Sequence, residues 1–152
     1  MVARRRSLSE RGQLDLFRAL PGDFAPRDAQ DLMAYPFFSL AKSKRLAPID
    51  FKAGSVKIRV EAVPEHGMAT IWDADIIIWA TSTLNRMREQ GINDLPRTLT
   101  TTSYDLLRAI KRDTSGRAYQ ELQAALQRLQ TTSISTSIRA PKRRSKAGFN
   151  WL

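Results

Sequence analysis

The chain of 152 residues contains no cysteine and a single histidine. Without thiols it can form neither a disulfide nor a thiolate metal site, which fits a cytoplasmic protein. His66 stands alone in the turn-like run PEHG. A zinc site or a Ser-His triad that leans on clustered histidines therefore cannot be assembled. A tyrosine-dependent nicking reaction that holds its metal on paired histidines is excluded on the same ground. The seven glycines are nowhere gathered into a phosphate-cradling loop, so nucleotide hydrolysis has no support. The longest apolar run, IIIWA at 76–80, is far shorter than the ~20 residues a membrane span needs. MVARRRSLSE carries charge with no apolar stretch behind it, unlike a secretory signal. These absences point away from an enzyme, a cofactor and a membrane.

What is present is a hydrophobic content of 42% with 26% charged residues, enough for one domain with a true core. Residues 1–27, with the cluster Arg4-Arg5-Arg6, read as a basic arm with at most a short helix through Leu14, Phe17 and Leu20. Residues 28–152 read as the domain. The net charge of +10 is unevenly placed. Residues 1–100 hold 15 basic and 12 acidic side chains, a balance of +3, whereas residues 101–152 hold 10 and 3, a balance of +7. A clustered basic excess suits nucleic acid or an acidic surface. A solvated basic face is the plain alternative.

Periodicity supplies the elements. A strand is expected at about 36–41, and SVKIRVEAV at 55–63 alternates apolar and charged residues as a half-buried strand does. Met68–Trp72 is expected to return beside it after the PEHG turn, as a hairpin. Asp73 is placed to cap the next helix, whose buried stripe would be Ile77, Ala80, Leu84 and Met87, ending at Gly91. A further helix spans 100–112, with Thr102 and Asp105 as a capping box and Tyr104, Leu107 and Ile110 inward. The turn 113–116 leads to a helix with Tyr119, Leu122, Leu126 and Leu129 as its stripe. Thr132, Ile134, Thr136 and Ile138 then share a strand face, and Phe149 and Trp151 lie on a return strand beyond the basic run APKRRSKAG.

Two helices on a tight turn, followed by a hairpin with a basic tip, give an α+β fold. The expected layout is that of a winged helix, a helix-turn-helix followed by a β-hairpin wing, with an additional N-terminal β-hairpin. In that layout the second helix lies in a DNA major groove and the wing reaches phosphates. Arg pairs bidentately with guanine and Gln with adenine, so Arg117, Gln120, Gln127 and Arg128 suit readout. Arg112, Ser115, Arg139, Lys142, Arg143, Arg144 and Lys146 complete the expected DNA-binding set.

Several stretches also resemble a known family. AVPEHGMATIWDADIIIWA at 62–80, DLMAYPFFSLAKSKR, LLRAIKR and YQELQAALQRLQTTSISTSIR are similar to the replication initiator protein A family of plasmids from alphaproteobacteria and relatives. The likeness covers about 31–139. It implies a winged-helix initiator that binds double-stranded DNA at repeated origin sites, recruits host replication proteins and does no catalysis. It also implies a second winged-helix domain after this one, and an N-terminal unit that can form a homodimer. A dimerisation module with incidental DNA contact, or a winged-helix transcription regulator, are the alternatives.

Overall fold

The computed structural model describes residues 34–138 and 147–152, so the expected arm and the loop cations Arg139, Lys142, Arg143, Arg144 and Lys146 lie outside the described residues. The architecture is α+β. Its elements are β1 (Ile49–Ala53), β2 (Val56–Glu61), α1 (Ala74–Glu89), α2 (Ser103–Ala109), α3 (Gly116–Thr131), β3 (Ser133–Thr136) and β4 (Ala147–Asn150). The four strands form one antiparallel sheet in the order β1-β2-β3-β4.

The first hairpin is not the expected one. Val56–Glu61 is a strand as its alternation requires, burying Ile58 and Val60, but it pairs with β1 on its N-terminal side. Ala53 faces Val56 across the two-residue turn Gly54-Ser55, and Gly54 takes φ +58°, which a Cβ-bearing residue adopts only at a cost. Met68–Trp72 makes no strand. Its backbone meets the 36–41 segment only in a single parallel bridge between Ser39 and Thr70. The chain is already coiling there, because the amides of Asp73 and Ala74 both donate to the Thr70 carbonyl.

The helices bury smaller faces than the pattern suggests. Ile77 and Ala80 of α1 are buried with Ala74 and Ile76, while Leu84 and Met87 are only half-buried. On α3 the buried stripe is Ala118, Leu122, Ala125 and Leu129. Alanine at two of these positions lets the helix approach closely, and it rotates Tyr119 and Leu126 to the rim. Tyr104 also leaves its expected core position and lies 46% exposed, where its ring and hydroxyl engage Arg108.

Beneath the helices, Ile58, Val60 and Ile134 meet Phe37, Phe38, Met68 and Leu107 in one core. Trp151 closes its end. Its ring stacks on Phe38 at 4.6 Å and meets Phe37 and Phe149 edge-on. Among the described residues no helix is long and apolar enough to cross a membrane.

Candidate nucleic-acid interface

The candidate interface is the α2–turn–α3 unit, and local chemistry defines both of its ends. At the start of α2 the Asp105 amide donates to the Thr102 hydroxyl, the N-cap half of the expected capping box, while the Asp105 carboxylate accepts from that hydroxyl rather than from the Thr102 amide. α2 closes by the paired reverse bonds of a Schellman turn, Arg112 N–H to Leu107 C=O at 2.8 Å and Lys111 N–H to Arg108 C=O at 3.1 Å. The residue in the left-handed conformation at that turn is Lys111, with φ +57°. The equivalent turn after α1 uses Gly91, which takes that conformation freely.

Ser115 is the N-cap of α3, its hydroxyl accepting from the Ala118 amide. The same hydroxyl and the Thr114 amide bond Asp113, holding its carboxyl below the usual aspartate range. At the other end α3 passes into β3 with no glycine or proline between them. Thr132 turns extended there, fully buried, and its hydroxyl accepts a 2.8 Å bond from the Ala69 amide. That tertiary bond, rather than a local breaker, sets the switch from helix to strand.

The expected DNA-binding arginines divide by their partners. Arg128 is held inward: its Nε and Nη2 bond the two carboxylate oxygens of buried Asp73 at 2.7 and 2.8 Å. These bonds raise its pKa above the usual arginine value. Asp73 therefore does not cap α1 through its side chain as expected. Its carboxylate takes Arg128 and the Thr70 amide instead. Arg112 is also tied down, to the Asp75 carboxylate at 2.7 Å and the Trp72 carbonyl. Arg117 differs. It pairs with Glu121 one helical turn away, but both side chains are mostly in water, where such a pair contributes only about 0.3–0.5 kcal/mol. Its guanidinium is open to another partner. Gln120 is exposed and Gln127 half-exposed on the outward face of α3.

Sequence reasoning did not find the acidic frame that orients this unit. Asp73 and Asp75, at the start of α1, hold Arg128 and Arg112 and so fasten α3 and the turn before it to the rest of the domain. Their acid character was visible, but their partners lie 55 and 37 residues away. It also passed over Gln123 and Gln130, which continue the outward glutamines of α3, although their three- and four-residue spacing was there to read. An open cleft of about 650 Å³ separates Lys42 and His66 from Arg112, Arg117 and Glu121 along this unit.

A "Putative replication protein" of Wigglesworthia glossinidia brevipalpis is 34% identical over 115 residues, 76% of this chain and 41% of the relative. The chain thus spans less than half of that relative's length. No solved structure matches it. Residues 27–152, which include every described residue, match the family described as replication initiator protein A. The chain belongs to the replication initiator protein A family.

Proposed function

We propose that this domain is a winged-helix DNA-binding module of a plasmid replication initiator, which engages the replication origin by contact rather than catalysis. The observation that carries the reading is the order α2–turn–α3–β3–β4 in a chain of the initiator family. In this reading α3 enters the major groove, and the β3–β4 connection, with Arg139, Lys142, Arg143, Arg144 and Lys146 in its sequence, supplies phosphate contacts. The basic balance of residues 101–152 supports it, because the phosphate backbone rewards exactly that charge. Arg128 and Arg112 would act as positioning residues, since their guanidinium groups are bound within the domain.

The test is a salt series on duplex DNA. With three to six phosphate contacts, the log–log slope of affinity against salt is about −3 to −5. A slope near zero, or no binding at low salt, refutes the reading. A dimerisation module is the second reading, favoured by the exposed apolar side chains Ile71, Trp72 and Ile78 around the start of α1. A dimeric mass together with a flat salt response would establish it instead.

A further inference from the structure

We propose that α3 reads adenine, through the glutamine stripe Gln120, Gln123 and Gln127. The inference rests on the DNA-binding reading above and adds to it the class of base that is recognised.

Among the described residues, α3 carries few charges and each has a partner, although the surface pair of Arg117 leaves its guanidinium open. Its only ionised side chains are Arg117, Glu121 and Arg128, and these are paired as Arg117–Glu121 and Arg128–Asp73. What faces outward, opposite buried Ala118, Leu122, Ala125 and Leu129, is a row of glutamines at 120, 123, 127 and 130. At 3.6 residues per turn the row occupies roughly a quarter of the helix circumference. None of the four side-chain amides bonds another described residue. The ion-paired residues border the row on one side, and Tyr119 and Leu126, each a little over a third exposed, border it on the other.

This distribution favours base edges over phosphates. A neutral amide gains no ion-pair attraction from the phosphate backbone, whereas its paired donor and acceptor match N7 and N6 of adenine in the major groove. The apolar border suits the same base pair, because the thymine opposite adenine offers its methyl group there. The remaining basic charge of residues 101–152 complements the duplex and can hold it without being spent on readout. From Gln120 to Gln127 the helix rises about 10 Å, close to three base steps of ~3.4 Å. Gln130 falls in the last turn, where the Asn150 side chain already donates to its carbonyl. It is left out of the reading set.

The experiment selects duplexes from a random-sequence library with the full 152-residue chain. It then measures affinity for a selected duplex, for the same duplex carrying 7-deazaadenine, and for random duplex. Adenines should be enriched at two or three positions within about four base pairs. Gln120→Ala, Gln123→Ala and Gln127→Ala should each weaken the selected duplex by roughly 5- to 150-fold, and random duplex by less than about twofold. Loss of N7 in 7-deazaadenine should reproduce much of that loss in the parent and little of it in the variants. Alanine is the better helix former, so the variants fold. Enrichment of other bases, or equal weakening of both duplexes, overturns the inference and leaves the DNA-binding reading standing. A loss of dimer mass in the variants with unchanged DNA affinity overturns it in favour of a protein contact. No binding of any duplex by the parent overturns both readings.

Discussion

Asp73 and Arg128 form the contact that ties α3 to the start of α1. The Asp73 side chain is 4% exposed and that of Arg128 25%, and two short bonds join them across the start of α1 and the last turns of α3. Replacing Asp73 with Ala removes the acceptor of three donors at once: two from the guanidinium and the amide of Thr70. Breaking a fully buried pair from one side costs about 3–5 kcal/mol. Because the guanidinium here still reaches water, about 2–3 kcal/mol is the expected loss. For a domain of this size that lowers Tm by roughly 4–12 °C. Arg128→Ala should cost a similar amount, by leaving the carboxylate in the core. The decisive quantity is the coupling. In a double-mutant cycle by thermal or denaturant unfolding, the double variant should be more stable than the sum of the single losses by about 1–3 kcal/mol. A helix cap would behave differently: Asp73→Ala would then cost about 0.5–2 kcal/mol whether or not Arg128 was present. Additivity within about 0.5 kcal/mol refutes the pair as the link between α1 and α3.

Three other perturbations follow from single features. Lys111→Gly should stabilise the domain by about 1 kcal/mol, because glycine takes the left-handed turn after α2 without strain; a lower denaturant midpoint would refute this. Trp151→Ala should cost about 3–5 kcal/mol by emptying the space against Phe37 and Phe38. Trp151→Phe should cost clearly less in the same assay, because it keeps the stacking and removes a buried indole N–H that has no partner among the described residues. Neutralising Lys142, Arg143, Arg144 and Lys146 together should reduce the salt slope by roughly two to four units for origin and random duplex alike, and an unchanged slope would remove these cations from the DNA contact.

By itself the sequence determined the parts whose causes are local. The alternation of Val56, Ile58 and Val60 specified a strand, Thr102 with Asp105 specified a helix start, and Gly91 a helix end, because each depends on residues within a turn or two. The motif resemblance specified the family for a similar reason, since it needs only the order of residues. Tertiary structure decided everything that depends on a distant partner. β2 could have formed its hairpin with the segment before it or the segment after it, and the Gly54 turn together with the coiling at Thr70 selected β1, while β3 took the other edge. Tyr119 and Leu126 had the period of a core face, but the close approach allowed by Ala118 and Ala125 turned them to the rim. Arg128 carried the right charge for DNA and Asp73 the right chemistry for a cap, yet each is cheaper to bury against the other than alone. No window of local sequence contains both, so only the folded chain could reveal that the arginine holds α3 in place while the glutamines face outward.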